Sequence, residues 1–139
     1  MPGKKKKVVL TGGVFDILHP GHVFFLEKAK KLGDVLVVVI AADATVRRVK
    51  KRQPIHSAKA RARIVASLKP VDKVVIGSPR DKFAVVRRVK PDIIAFGYDQ
   101  PIGDFANLRK KGIRLVKIRE RLNGRIFKTS RIIASIRKA

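Results

Sequence analysis

Five short apolar runs alternate with helical segments along the chain, and this alternation restricts the fold more than any other feature. The clearest run is Val35–Ile40, which is apolar at every position and rich in β-branched residues, as expected of a strand covered on both faces. The other predicted strands are Lys7–Thr11, Val74–Ile76, Ile93–Phe96 and Leu115–Ile118. Strands that alternate with helices favour a parallel sheet with right-handed crossovers. We therefore predict a single α/β domain, doubly wound, with a five-stranded parallel sheet.

The predicted helices have recognisable ends. Pro20 suits a first turn and Gly33 is placed to end that helix, while Ser57 can cap a second helix that stops before Pro70. Further helices are predicted at residues 80–90, near 105–111, and after a cap at Thr129 or Ser130. In such sheets ligands bind at the carboxyl ends of the strands, so residues 12–22, 97–101 and 119–131 are the candidate binding segments.

The composition is strongly basic. Of 139 residues, 34 are Lys or Arg and 10 are Asp or Glu, which gives a formal net charge of +24. The 45% hydrophobic content argues against disorder, and the absence of Cys excludes a thiol nucleophile, a disulfide framework and a cysteine metal site. The segment 46–71 holds nine basic groups and no acid, and 109–139 holds twelve basic groups and one acid. Such a surface attracts polyanions: nucleic acid, anionic lipid or phosphorylated small molecules.

Membrane and targeting signals are absent from the sequence. The longest apolar run, Val35–Ala42, has eight residues against the roughly 20 that a spanning helix needs. The apolar stretch after Lys4–Lys7 ends at Gly12, too early for a signal peptide. We expect a soluble, cytoplasmic protein that makes no membrane contact.

The chemistry concentrates in the segment Gly12-Gly13-Val14-Phe15-Asp16-Ile17-Leu18-His19-Pro20-Gly21-His22. Glycines let the backbone approach a ligand, and two imidazoles three residues apart stand at a helix start, where free N–H groups attract anions. Each imidazole can donate a hydrogen bond, so the segment predicts a phosphate cradle. It contains neither a Walker loop nor a G-x-G-x-x-G loop.

Two other interpretations apply to the histidine pair. A two-histidine metal site needs a third ligand, and none with suitable local spacing stands out. Alternatively, His19 and His22 are turn and capping residues without chemistry. The glycine-rich strand exit beside paired imidazoles favours the phosphate site.

These residues resemble a known family. Gly13-x-Phe15-Asp16-x-x-His19-x-Gly21-His22 is similar to the G-x-F-D-x-x-H-x-G-H signature of the cytidylyltransferase-like nucleotidyltransferases, which have a Rossmann-like fold. The resemblance continues through 56–72 and 127–133 and covers nearly the whole chain, as one nucleotidyltransferase domain over residues 1–139. The block Pro91-Asp92-Ile93-Ile94-Ala95-Phe96-Gly97-Tyr98-Asp99-Gln100 looks like that of archaeal FAD synthases.

The resemblance implies a reaction in which an acceptor phosphate attacks the α-phosphorus of ATP or CTP and pyrophosphate leaves. It implies that His19 and His22 hold the reacting phosphates, and that Mg²⁺ stays mainly on phosphate oxygens and water rather than on protein ligands. The nucleotide-binding residues implied are Gly13, Val14, Phe15, Gly21, Asp99 (for the ribose), Thr129, Ser130 and Arg131. Many members carry Thr or Ser in place of Val14, so a hydroxyl that could reach a phosphate is missing here.

Four cations are candidates for phosphate or acceptor binding: Lys50 and Lys51 in a predicted basic loop, Arg61 on a surface helix, and Arg119 after the fifth strand. Solvated surface cations are the alternative for the lysines and for Arg61, and an ordinary helix cap is the alternative at 129–131. For Asp99 the alternative is an aspartate that only stabilises a turn or a cap. We interpret Asp16 as structural, His56 as a loop residue, and Phe24 and Phe25 as core or dimer-contact residues.

Three functions remain open, two from the resemblance and the third from the basic composition. The first is FMN adenylyltransferase, which makes FAD from ATP and FMN. The second keeps the chemistry with another phosphate monoester acceptor, such as glycerol-3-phosphate with CTP, or a sugar phosphate. The third is a basic nucleic-acid-binding protein, although the chain lacks the aromatic and basic interleaving of common RNA-binding modules. The family is commonly dimeric, which implies a homodimer.

Overall fold

The computed structural model describes residues 5–122 and 129–138, with the backbone alone at 129–131 and 138. The strands are β1 (Val8–Gly13), β2 (Val35–Ile40), β3 (Lys73–Ile76), β4 (Ile93–Phe96) and β5 (Arg114–Lys117). The α-helices are α1 (Pro20–Lys30), α2 (Asp43–Lys50), α3 (Ala58–Ala66), α4 (Ala84–Val89) and α5 (Thr129–Lys138), and a 3₁₀ helix covers Gly103–Lys111. Within the described residues, none of the helices has the length and apolar character needed to cross a bilayer.

The five strands form one parallel sheet in the order β3-β2-β1-β4-β5, which confirms the predicted fold class. β1 is central and pairs with β2 from Val8↔Val35 to Gly13↔Ile40. Its other neighbour is β4, through Val9↔Ile93. The chain places β2 and β3 on one side of β1 and then β4 and β5 on the other side, so the strand order switches between β1 and β4. The carboxyl ends of these two strands therefore border the expected ligand crevice.

A hydrophobic core lies on each face of the sheet. One contains Leu26 of α1, Val38 of β2 and Val65 of α3, all fully buried. The other contains Val86 of α4 and Leu108 of the 3₁₀ helix, packed on Leu10, Ile94 and Phe96. Coverage on both faces explains why β2 is apolar at every position.

The structure differs from the sequence prediction at several places, and α4 begins at Ala84 rather than at residue 80. Gly12 and Gly13 belong to β1 and not to a turn after it, since Gly12 and Gly13 pair with Val39 and Ile40. The segment near 105–111 is a 3₁₀ helix rather than an α-helix. Helix α2 was not predicted; it has only eight residues, and Val46 is the one that is buried.

Gly33 has a different role from the helix terminator that the sequence suggests. Helix α1 ends earlier, and its C-cap is Lys31 in a right-handed conformation. A Cβ on Gly33 would lie 2.9 Å from the carbonyl oxygen of Lys7 and 2.8 Å from a methyl group of Val9. Glycine is needed here because the chain passes close to the start of β1.

We expect Gly33→Ala to lower the free energy of unfolding by about 1–3 kcal/mol, since the added methyl group must displace backbone as well as side chain. Thermal denaturation measures the change. Lys31→Ala in the same exposed turn is the control and should lie within about 0.5 kcal/mol of the parent. Equal stability of Gly33→Ala and the parent would contradict the close approach.

Candidate active site

The histidine pair forms a reciprocal cap at the start of α1. His19 is the N-cap residue in an extended conformation, and its Nδ1 accepts a hydrogen bond from the His22 N–H at 3.3 Å. In return, the His22 Nδ1 accepts from the His19 N–H at 3.2 Å. The two rings stack with their centroids 3.6 Å apart and 20° between their planes. The pair is therefore fixed by backbone atoms as well as by ring contact.

This cap determines where each imidazole carries its hydrogen. Because both Nδ1 atoms accept backbone N–H groups, the neutral rings of His19 and His22 must carry their hydrogen on Nε2. Burial lowers the pKa of His19. Burial, and to a lesser extent the neighbouring charge of His19, lower the pKa of His22 from 6.5 to about 3. At neutral pH the pair is thus two neutral Nε2–H donors on one helix end.

The ring of Phe15 packs against His22 of the histidine pair. Phe15 is buried, and its ring centroid lies 5.1 Å from that of His22. Its φ of 51° is in the left-handed region, which is uncommon for a bulky residue and marks a turn held by its surroundings. A Cβ on Gly13 would lie 2.8 Å from the Phe15 ring. Glycine at position 13 therefore makes room for the ring that backs His22.

The helix start offers fewer backbone donors than the sequence suggests. Pro20 has no N–H, and the N–H of His22 is held by the cap. The donor that the first turn can present to a ligand is the N–H of Gly21. The anion site therefore depends more on the N–H groups of the two imidazoles, and less on backbone N–H groups, than an ordinary helix terminus does.

Asp16 anchors the segment between α2 and α3, in agreement with its predicted structural role. Its fully buried carboxylate accepts hydrogen bonds from the backbone N–H groups of Ile55 and His56 and forms an ion pair with Arg52 at 3.0 Å. Burial raises the pKa of Asp16, but the bonds from His56, Ile55 and Arg52 outweigh it, so the pKa lies below its usual value. His56 itself is an exposed loop residue, as predicted.

Arg61 is fully buried, so the interpretation as a solvated cation is wrong. Its guanidinium donates to the carbonyl oxygens of His56 at 3.0 Å and Val14 at 2.9 Å, and to the carboxylate of Asp43 at 2.7 Å. It thereby joins the loop after β1, the start of α2 and the loop before α3. The predicted contact with phosphate finds no support in this geometry, because the side chain reaches no surface.

Gln100 is a site residue that the sequence analysis did not single out. Its side-chain oxygen accepts from the Gly97 N–H at 2.7 Å, and its amide nitrogen donates to the Gly12 carbonyl at 2.9 Å. The side chain therefore ties the carboxyl end of β4 to that of β1, across the ligand crevice. The available signals were its place in the predicted binding segment 97–101 and in the Gly97-Tyr98-Asp99-Gln100 block. Asp99, predicted to bind ribose, is exposed beside this link.

The remaining candidate cations, Lys50, Lys51 and Arg119, are all exposed. Lys50 is the last residue of α2 and Lys51 its left-handed C-cap, so the predicted basic loop is wrong for Lys50. Arg119 lies just after β5. Helix α5 begins at Thr129, whereas the side chains of Thr129, Ser130 and Arg131 lie outside the described part of the chain, as do residues 123–128.

Comparison with known proteins extends the likeness beyond the histidine motif. The family model described as cytidylyltransferase-like matches residues 10–135. The FAD synthase of Thermococcus sibiricus is 49% identical over 140 residues, covering 96% of this chain and 95% of that protein. The FAD synthase of Ferroglobus placidus is 46% identical, covering 94% and 88% respectively. The crystal structure of the lipopolysaccharide core biosynthesis protein from Thermoplasma volcanium superimposes with a TM-score of 0.76, at 41% identity over 84% of this chain and 98% of that one.

The lowered pKa of His22 makes the protein less stable in mild acid. The unfolded chain binds a proton near pH 6.5 and the folded imidazole only near pH 3, so the unfolded state binds more protons in between. We expect the free energy of unfolding to fall by up to about 1.4 kcal/mol per pH unit below pH 6.5, measured by denaturant titration from pH 7 to 4.5. The slope should shrink in His22→Gln and persist in His56→Gln; equal slopes in both variants would contradict the assignment.

The buried guanidinium of Arg61 should be indispensable for stability. We expect Arg61→Lys to lower the free energy of unfolding by about 3 kcal/mol, since one ammonium group cannot reach all three acceptors. Chemical denaturation checks this, with the exposed Arg63→Lys on the same helix as the control. If Arg61→Lys had the stability of the parent and weakened only substrate binding, Arg61 would contact the ligand rather than hold the loops together.

Proposed function

The chain belongs to the cytidylyltransferase-like family of nucleotidyltransferases, and we propose that it is an FMN adenylyltransferase, which converts ATP and FMN to FAD and pyrophosphate. Two named relatives that match most of this chain are FAD synthases, and this supports both the adenylyl donor and the flavin acceptor. The reaction would take place in the cytoplasm.

The reciprocal cap of His19 and His22 is the observation that carries the proposal. It leaves two neutral imidazoles with their hydrogens on Nε2, at a helix start and at the carboxyl edge of the sheet. Neutral Nε2–H groups suit a site that must donate hydrogen bonds to a phosphate while keeping its own protons. A general base would instead need an unprotonated nitrogen facing the substrate.

The reaction needs positioning and charge stabilisation more than acid–base chemistry. An oxygen of the FMN phosphate forms a bond to the α-phosphorus of ATP, and the bond from that phosphorus to the oxygen bridging to the β-phosphate breaks. Pyrophosphate leaves with the electron pair. A phosphate monoester is already ionised at neutral pH, so no protein base is required. His19 and His22 stabilise the negative charge that grows on the α-phosphate oxygens.

The end of β1, the loop after it and the start of α1 supply further phosphate contacts. Gly13 allows close approach, and the backbone N–H groups of Val14, Phe15 and Gly21 replace the hydroxyl that many relatives carry at position 14. Arg61 acts here as a positioning residue, because it fixes the Val14 carbonyl and with it the course of the loop.

The residues at the rim of the crevice complete the proposed nucleotide site. We assign Asp99 to the ribose, Lys50, Lys51 and Arg119 to the phosphates, and the start of α5 to a second contact with the nucleotide. Asp99 and Arg119 are exposed just after the carboxyl ends of β4 and β5, which supports their roles, and Lys50 and Lys51 are exposed at the end of α2. A homodimer remains part of the proposal through the family resemblance alone.

The donor set fits a magnesium ion carried by the nucleotide. Among the described residues, no three His, Asp or Glu side chains come together to hold a metal, and the Asp16 carboxylate is occupied by its own partners. When bound, Mg²⁺ would neutralise triphosphate charge through phosphate oxygens and water. The histidines would contribute hydrogen bonds rather than ligation.

A second candidate keeps the chemistry and changes the acceptor to a sugar phosphate. It is favoured by the name of the Thermoplasma volcanium protein, lipopolysaccharide core biosynthesis protein, which is 41% identical to this chain. Parallel assays with FMN, glycerol-3-phosphate and hexose phosphates, each with ATP or CTP, separate the candidates by pyrophosphate release. Turnover of a sugar phosphate without turnover of FMN would replace the first proposal.

We expect His19→Asn to lower kcat for FMN adenylylation by about 10²–10³-fold, as for the loss of one transition-state donor. Asparagine can still accept the N-cap hydrogen bond, so the helix and the melting temperature should be nearly preserved. His56→Asn changes an exposed imidazole and is the matched control, with turnover close to that of the parent. Near-parental kcat in His19→Asn would remove this residue from the site.

A further inference from the structure

A groove of about 720 Å³, which we call the helix groove, lies between α4 and the 3₁₀ helix on one face of the sheet. Each helix leads into a parallel strand, α4 into β4 and the 3₁₀ helix into β5, so both run from the carboxyl edge of the sheet to its amino edge. Pro91 and Ile113, which stand just before β4 and β5, line the groove. The groove therefore reaches the amino edge, opposite to the edge that carries His19 and His22.

Two matching stripes of side chains form the walls of the helix groove. The α4 stripe has positions i, i+3 and i+7, and the 3₁₀ stripe has positions i, i+4 and i+7, so each is one side of a helix. The stripes consist of Phe83, Val86 and Lys90, and of Asp104, Leu108 and Lys111. Both have an apolar residue in the middle and end at a lysine near the amino edge. The groove is thus elongated along the two helices and has one strongly basic end.

The floor of the helix groove suits aliphatic side chains better than nucleic-acid bases. Ile113 and Phe83 are half-buried, so part of each stays open to the groove. Single-stranded nucleic acid binds through aromatic rings on which its bases stack. Phe83 is the one aromatic residue that lines the groove between the described helices, and its ring already packs against Phe105 and Lys82, at 5.1 Å and 5.4 Å from its centroid. The groove therefore offers an apolar floor without a free stacking surface.

The charge of the helix groove calls for an acidic ligand. Lys90 and Lys111 are exposed, and neither forms an ion pair with a residue in the described ranges 5–122 and 129–138. Asp104 is the one acid that lines the groove within those ranges, and its carboxylate lies 2.9 Å from the Nζ atom of Lys82. The acid is thus neutralised at one end of the groove, whereas the two lysines keep their charge at the other.

We propose that the helix groove is a docking surface for an acidic amphipathic helix of a partner protein. A groove between two helices that run in the same direction accepts the side-chain ridge of a third helix. Apolar side chains of the partner, spaced i, i+3 and i+4, pack on Val86, Leu108 and Ile113. Carboxylates one turn further along meet Lys90 and Lys111. This inference goes beyond the proposed function and does not depend on it, because the groove uses none of the residues assigned to the substrates.

The test compares two double variants that lower the net charge equally. Lys90→Glu with Lys111→Glu changes the helix groove, whereas Arg88→Glu with Lys110→Glu changes exposed neighbours that do not line it. All four cations lie in the last turn or the C-cap of their helices, so the loss of a favourable interaction with the helix dipole is matched. A further variant, Asn107→Trp, fills the groove at an exposed lining position without a change of charge.

The probe is a fluorescein-labelled helical peptide of Leu, Ala and Glu, with Leu at i, i+3, i+4 and i+7 and Glu on the opposite face and flanks. A peptide of the same composition, shuffled so that no apolar face forms, is its control. Binding is measured by fluorescence anisotropy in about 150 mM salt, which screens long-range attraction. We expect Lys90→Glu with Lys111→Glu, and also Asn107→Trp, to weaken binding of the amphipathic peptide at least tenfold. Arg88→Glu with Lys110→Glu should stay within threefold of the parent.

Four outcomes would overturn the docking surface. They are equal losses in the two double variants, equal binding of the amphipathic and shuffled peptides, parental affinity in Asn107→Trp, and no binding of the amphipathic peptide to the parent. A labelled single-stranded RNA that binds more tightly than the peptide, and that the groove variants weaken, would replace the helix by a nucleic acid. FMN adenylylation should be equal in the parent and in both double variants. Absence of that activity would refute the proposed function and leave the peptide result unaffected.

Discussion

Two buried charged side chains, Arg61 and Asp16, hold the loops around the end of β1 in place. Arg61 joins Val14, Asp43 and His56, and Asp16 accepts from the backbone of Ile55 and His56. Loop backbone cannot satisfy its polar groups by strand pairing, so side chains from elsewhere in the chain must do so. Burial of a charge is tolerated because each group has several partners. The histidine pair lies directly after the loop that these two side chains hold in place.

The cap of α1 links local structure to chemistry. A conventional N-cap would use Ser, Thr, Asp or Asn, whereas here an imidazole at each position accepts the backbone N–H of the other. The same bonds that begin the helix fix the tautomer of both rings. Burial keeps the rings neutral in a chain whose net charge is +24, so they act as hydrogen-bond donors rather than as further cations.

The proposed reaction uses only a part of the positive charge. The chain has a formal net charge of +24, and exposed cations such as Lys50, Lys51 and Arg119 are the ones proposed to meet the phosphates. The substrates need only a few cations, so their phosphates account for a minor part of this charge.

The sequence by itself determined the order of the strands and helices and the position of the histidine motif. These depend on periodicity and on neighbouring residues, which are read along the chain, as in Val35–Ile40 and in Ser57 at the start of α3. Helix α2 was missed because it is short and Val46 is its only buried residue. The hydrogen bonds of Arg61 to Val14 and of Gln100 to Gly12 were decided only by the tertiary structure, because they join residues that are 47 and 88 positions apart in the chain. The contacts among the rings of Phe83, Phe96 and Phe105 have the same origin, because these side chains meet only when the sheet and its covering helices pack together.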